Sequence, residues 1–312
     1  MRVITGLHAL TVLPRRSVVT IGMFDGVHLG HQRLINTAVT LAKRSRAASV
    51  VVTFHPDPQQ ILDPAHAPRS MMPLEDRVRL ISALGVDLVW VIPFTPAFSK
   101  RSAERFVEEI LVERLHAVCV VVGTTFMFGN ERRGTLKLLQ GLGRQYRMRV
   151  LVVAPVRRGG ELVSSSRIRR LIESGELEEA HRLLGRPVEL RGTVVKGEGR
   201  AQTLGFPTAN VRLASTMLPP RGVYQIQLQH AEKRFRGLMN LGIRPTFLPA
   251  VSHERRTRVP PLVCEAHLVG FHGDLYGQSI TIAVLKRLRD ERQFDTPQAL
   301  VQQIQRDLQK IC

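Results

Sequence analysis

Cysteine is scarce: Cys119, Cys264 and Cys312 stand far apart in 312 residues, without metal-ligand spacing. That excludes a disulfide framework and a cysteine-built metal site, and it suits a reducing, cytoplasmic setting. Apolar runs are short, and none approaches the ~20 residues that span a bilayer, so no membrane partner is expected. Residues 1–13 hold one arginine and no clear cleavage pattern, so a secretory leader is not expected. Aromatic residues make up 5% of the chain, which leaves little for stacking on nucleic-acid bases. Internal repeats and low-complexity tracts are missing as well.

Positive charge is abundant, at +19. It calls for acidic partners, but arginine is spread through helices and loops instead of forming a tract. Nucleic acid is therefore not expected as a partner, whereas polyphosphate substrates suit the charge, as does a merely solvated basic surface. A hydrophobic content of 44% and this length allow a full core and suggest two domains. A homo-oligomer is compatible with the sequence.

In the first half, apolar runs at 18–21, 49–54, 88–92, 118–122 and 150–153 alternate with helix-period stretches at 31–44, 73–84, 102–115 and 134–146. This order predicts a Rossmann-like, doubly wound parallel sheet whose ligands bind beyond the strands' C-terminal ends. The pattern changes near Leu184-Gly185-Arg186-Pro187. Short runs at 189–195, 222–229, 234–240, 262–269 and 279–285, separated by Gly and Pro, predict an antiparallel sandwich or small β-barrel. A last helix is capped by Thr296, with Pro297 next and a stripe of Leu300, Ile304, Leu308 and Ile311. Residues 253–261, rich in Arg and Pro, read as a loop between strands. The expected domains are 1–185 and 186–312.

Four segments carry candidate chemistry. Gly22-Met23-Phe24-Asp25-Gly26-Val27-His28-Leu29-Gly30-His31 joins a strand to a helix start, where amide donors and the dipole favour phosphate. His28 and His31 add donors that can follow charge building on phosphorus. In Gly123-Thr124-Thr125-Phe126-Met127-Phe128-Gly129, alternating rings would set one against the core and the other against a planar ligand. Ser164-Ser165-Ser166-Arg167-Ile168-Arg169 opens a helix with serine caps. Its arginines oppose the dipole unless an anion is present. In Gly205-Phe206-Pro207-Thr208-Ala209-Asn210, Thr208 and Asn210 lie two apart in an extended segment, with oxygens on one side that suit Mg²⁺. Structural roles remain open for each: a surface or metal-site histidine pair, core aromatics, plain helix capping, and a turn before a strand.

Together these segments resemble the bacterial bifunctional riboflavin kinase/FAD synthetase (FMN adenylyltransferase) family, almost end to end. Leu183-Leu184-Gly185-Arg186-Pro187, Gly222-Val223-Tyr224, Asn240-Leu241-Gly242-Ile243-Arg244-Pro245-Thr246-Phe247, Glu265-Ala266-His267, Asp274-Leu275-Tyr276-Gly277 and Arg289-Asp290-Glu291 extend the likeness. The resemblance implies that riboflavin is phosphorylated by ATP to FMN in the C-terminal module. FMN is then adenylylated to FAD in the N-terminal one, with release of pyrophosphate. It further implies ATP or phosphate contacts from Gly22, Phe24, Asp25, Gly30, Ser164, Ser165, Arg167, Gly197, Thr208 and Asn210. Thr208 and Asn210 would hold Mg²⁺, while Thr125, Phe126, Phe128, Asn240 and Arg289 would bind flavin. His28 and His31 would stabilise charge, and Glu265 would accept the hydroxyl proton.

The chain departs from the family pattern in places. Asp57 stands where Phe-x-Pro-His-Pro has histidine, and Thr125 replaces Asp or Asn. Residues 197–202 lack a later Gly-Arg pair, with Arg200 two places early, and Gly270 replaces an aspartate. An aspartate near phosphates repels them unless a metal or arginine intervenes. Two rivals remain in view: a single-activity enzyme, and a flavin-responsive regulator that binds nucleic acid.

Overall fold

A computed structural model describes residues 1–7, 14–197, 205–215, 217–243 and 262–311. The motif residues at 198–204 and 244–247, the expected loop at 253–261 and Cys312 lie outside the described residues. The chain forms two compact units, Met1–Ser70 with Leu74–Arg167 and Met71–Pro73 with Ile168–Cys312.

The first unit contains β1 (Arg2–Thr5), β2 (Ser17–Ile21), α1 (Leu29–Arg44), β3 (Ala48–His55), α2 (Pro58–Leu62), α3 (Leu74–Ser82) and β4 (Leu88–Pro93). It continues through α4 (Pro96–Ser99), α5 (Ala103–Phe106), β5 (Ala117–Gly123), α6 (Leu136–Gln145) and β6 (Arg149–Val153). Its strands form one parallel sheet in the order β1-β4-β3-β2-β5-β6. Both faces are covered, which explains why β2 is apolar throughout. Val18, Cys119 and Val121 pack with Ala38 and Ala42 of α1. On the opposite face, Val19, Val50 and Val120 pack with Phe106, Ile110, Leu111 and Leu139. Each such fully buried side chain contributes roughly 1.5–3 kcal/mol. Sequence order reverses at β2, between β3 and β5. The loops leaving β2 and β5 therefore flank the switch-point crevice.

Two elements differ from expectation. The helix predicted over 102–115 is α5 followed by a π-helical stretch, Val107–Arg114, which ends where Leu115 N–H donates to the Ile110 carbonyl at 3.2 Å. The wider turn lets Val107, Ile110, Leu111 and Leu115 all bury completely. The edge strand β1 is an addition: it pairs with β4, but only Ile4 in it is buried, so no strand pattern marks it.

A hairpin of β7 (Arg157–Arg158) and β8 (Glu161–Leu162) precedes α7 (Ser165–Ser174). Then α8 (Leu177–Leu184) stops at Gly185, whose φ of 73° is the left-handed cap that glycine adopts without strain. The second unit closes into an antiparallel barrel of β9 (Val188–Val195), β10 (Ala209–Leu213), β11 (Gly222–His230), β12 (Lys233–Ile243), β13 (Leu262–Leu268) and β14 (Ser279–Arg289). Their order is β10-β13-β12-β11-β14-β9, so no edge is left open. The final helix, α9 (Pro297–Gln309), starts where Thr296 Oγ1 accepts the Ala299 N–H at 3.2 Å. Ile304, Leu308 and Ile311 rest on Val223 and Leu238 of the barrel.

Candidate active sites

In the first unit, His28 is the N-cap of α1. Its Nδ1 accepts the backbone N–H of His31 at 3.3 Å. An amide can only donate, so a neutral His28 ring carries its proton on Nε2 and presents that edge as a donor. The His31 ring stacks on it, with centroids 3.5 Å apart. Phe24, fully buried at φ 53°, supports His31 edge-on at 5.3 Å. At two glycines the rings approach closely. A Cβ on Gly30 would come within 3.1 Å of the His28 ring, and one on Gly22 within 3.2 Å of the Phe24 ring.

The serine segment meets this loop. Ser165 Oγ donates to the Asp25 carbonyl at 3.3 Å, and Ser164 Oγ accepts the Arg167 N–H at 3.3 Å. Asp25 and His28 are both buried. Expectation held that an arginine in this turn needs an anion. In the structure one such anion is Glu161 of β8, whose Oε2 lies 3.0 Å from Arg167 Nε.

One expectation needs correction, and Asp57 and Arg289 have partners that the sequence does not reveal. Phe126 and Phe128 do not point to opposite sides. Residues 123–126 turn tightly, so the two rings do not alternate; they stack at 5.3 Å, both packed against the core. They continue a series of ring contacts through Phe106 and Phe98 to Phe54. Thr125 is exposed in that turn. Asp57 does not stand as an uncompensated repulsive charge. Its Oδ1 caps α2 by accepting the Gln59 N–H at 2.9 Å, and it acts electrostatically on buried Arg77. Arg289 is committed to an ion pair. Its Nε lies 2.7 Å from the wholly buried carboxylate of Asp307, which ties α9 to the barrel.

In the barrel, register does the assembling. Asn210 of β10 stands directly opposite Glu265 of β13, which on its other side stands opposite Asn240 of β12. Residues paired this way share a sheet face, so three motifs distant in sequence form one row. Thr208 and Asn210 line a cavity of about 260 Å³ with Gly197, Phe271 and Tyr276; among the described residues, Glu265 is beside its wall and not in it. His267 Nδ1 donates to the Pro207 carbonyl at 2.9 Å and so fixes the backbone just before Thr208. Asn210 Oδ1 is buried without a hydrogen-bond partner among the described residues. Its amide occupies the place of a side chain on Gly197, where a Cβ would fall 1.9 Å from Nδ2. An unpartnered hard oxygen beside Thr208 fits a magnesium ion. Neighbouring Cys264 faces the core, where burial and then the Glu265 charge push its thiol up to about 12, so it supplies no thiolate.

Sequence reasoning missed Arg77 and Asp307, which bury their charges on partners that no local pattern reveals. It also gave no role to Glu161 or His267.

The family model described as FAD synthetase matches residues 11–167, and the one described as riboflavin kinase matches 184–312. A Buchnera aphidicola protein named bifunctional riboflavin kinase/FMN adenylyltransferase is 32% identical, over 99% of this chain and 97% of its own. A Bacillus subtilis protein of the same name is 34% identical, over 97% and 94%. A crystal structure described as a macrolide-efflux protein from Streptococcus pneumoniae superposes with a TM-score of 0.83 at 30% identity, covering 95% of this chain and 93% of that one. Among the described residues, no helix is long and apolar enough to cross a membrane. The chain belongs to the bifunctional riboflavin kinase/FMN adenylyltransferase family.

Proposed function

We propose that this chain makes both flavin cofactors in the cytoplasm, with residues 186–312 converting riboflavin to FMN and residues 1–185 converting FMN to FAD. The observation that carries this reading is the row Asn210–Glu265–Asn240 beside a cavity that holds Thr208 and an unpartnered Asn210 oxygen. It sits in the segment matched by the riboflavin kinase model, while the histidine loop sits in the other match.

In the kinase reaction, Glu265 accepts the proton of the riboflavin 5′-hydroxyl as that oxygen bonds to the γ-phosphorus of ATP and ADP departs. Thr208 and Asn210 would hold Mg²⁺ together with the nucleotide phosphates, and Asn240, next in the row, orients the flavin. Bound Mg²⁺ would offset negative charge on the transferring phosphoryl group. Positioning and charge neutralisation are most of what phosphoryl transfer asks of a protein.

In the second reaction, an FMN phosphate oxygen bonds to the α-phosphorus of ATP and pyrophosphate leaves. That nucleophile is already ionised at neutral pH, so no general base is needed. His28 through Nε2, together with His31, stabilises charge at the α-phosphate and leaving group, while Ser164, Ser165 and Arg167 hold phosphate oxygens. Arg167 exchanges Glu161 for the substrate's anion. The half-buried Phe126 ring, stacked on Phe128 in the loop after β5, supplies an apolar surface for the flavin ring.

Incubating the purified protein with riboflavin, ATP and Mg²⁺ and separating the flavins by chromatography tests both steps. FMN should appear first and then FAD. FMN that accumulates without FAD removes adenylyl transfer, and FAD formed only from supplied FMN removes the kinase.

A further inference from the structure

The histidine loop is fastened from beneath by a residue outside every motif. Arg77 of α3 is only 6% exposed. Its Nη1 donates to the Met23 carbonyl and its Nη2 to the Phe54 carbonyl, each at 2.9 Å. The Met23 carbonyl also accepts from Thr53 Oγ1 at 3.1 Å. Met23 lies just before Phe24 and Asp25 in the loop after β2, and Phe54 lies just before the segment that reaches Asp57. One guanidinium therefore ties together the chain ends of two adjacent parallel strands. A planar fork can serve two fixed acceptors at once, whereas a lysine brings a single nitrogen.

The cost of burying this cation is visible. Arg77 Nε is buried without a hydrogen-bond partner among the described residues. Burial pulls the guanidinium below its ordinary value, against the opposing influence of Asp25 and then Asp57. Asp25 belongs to the loop that has to accept polyphosphate, Asp57 follows β3, and the charges of both act on Arg77.

We propose that Arg77 is a positioning residue for adenylyl transfer, holding the 22–31 loop in place and neutralising Asp25 and Asp57 so that ATP phosphates can approach His28 and His31. The proposal rests on assigning the ATP phosphates to that loop.

Full-length Arg77→Lys, Arg77→Met and Arg77→Met/Asp57→Asn are compared with the parent in forming FAD from supplied FMN over a range of ATP concentrations. Arg77→Lys keeps the charge and loses the fork, so kcat should fall about tenfold with little change in the KM for ATP. Arg77→Met loses both, and its KM should rise about tenfold or more. Adding Asp57→Asn should recover roughly threefold of that rise by removing an uncompensated negative charge. Unchanged KM in Arg77→Met, or no recovery on adding Asp57→Asn, overturns the electrostatic role. A parental kcat in Arg77→Lys overturns the positioning role, and this variant decides the matter alone where Arg77→Met does not fold. His28→Ala in the same assay separates the two layers. If it leaves FAD formation intact, the phosphate assignment itself falls, whatever the Arg77 variants do.

Discussion

The two sites are held in place by different means. In the barrel, strand pairing alone aligns Asn210, Glu265 and Asn240, so backbone hydrogen bonds fix the row whatever the side chains are. In the parallel sheet, the histidines lie on a loop and at a helix start. They are held by side-chain bonds: the His28 cap, Ser165 on the Asp25 carbonyl, and Arg77 on two further carbonyls. A site fixed by register fails when one of its own residues changes or is crowded. A site fixed by side chains fails also when a supporting residue some way off is lost.

The sharpest way to break this comparison is to disable one site and watch the other. His28→Ala should lower FAD formation from FMN by about 10²–10³-fold, as loss of a preorganised donor does, while riboflavin phosphorylation stays within about twofold. Glu265→Gln should reverse the pattern, lowering phosphorylation by about 10²–10⁴-fold with FAD formation from FMN preserved. Parallel rate measurements on both steps check this, and equal losses in either variant would mean that the sites are not separate.

A smaller effect is expected where crowding meets the row. In Gly197→Ala the new Cβ would fall 1.9 Å from Asn210 Nδ2, so the amide must swing away. Riboflavin phosphorylation should fall about tenfold, chiefly through a weaker response to Mg²⁺. A magnesium titration identical to that of the parent would show that Asn210 does not hold the ion.

The same contrast explains what could be foreseen from sequence. Val18, Val19 and Val120 mark strands buried on both faces, so the parallel sheet was legible, as were α9 and its Thr296 cap. The histidine loop and Thr208–Asn210 were legible as motifs, because their glycines, imidazoles and oxygens are contiguous. The Asn210–Glu265–Asn240 row was not, since register joins residues far apart in the chain and no local spacing encodes it. Arg77 was hidden for another reason. The stripe Leu74, Val78, Ile81 and Leu84 puts position 77 on its own apolar side, three residues after Leu74 and four before Ile81, but no local pattern shows that the Met23 and Phe54 carbonyls receive its guanidinium there. Phe126 and Phe128 misled because alternation was assumed where the chain turns.

The smallest expected effect concerns a supporting residue in the barrel unit. His181 of α8 packs toward β14, with Nε2 buried and without a hydrogen-bond partner among the described residues. Burial lowers its affinity for a proton, opposed by a hydrogen bond with the Val284 backbone and by Glu178, which itself pairs with Lys286 of β14 at 3.6 Å. Because the folded value lies below the ordinary 6.5, the unfolded chain binds more protons in this range. The contribution to stability is therefore complete above pH 6.5 and is lost as pH falls through the lower, folded value. Urea unfolding of the full chain should show a midpoint that declines on acidification from pH 7.5, and His181→Gln should flatten that decline. Kinase KM values should not move, because α8 packs on β14 and β9 whereas the row lies on β10, β13 and β12. If His181→Gln instead raised the KM for riboflavin or ATP, the barrel site would lean on remote side chains as the sheet site does, and the distinction between the two would be lost.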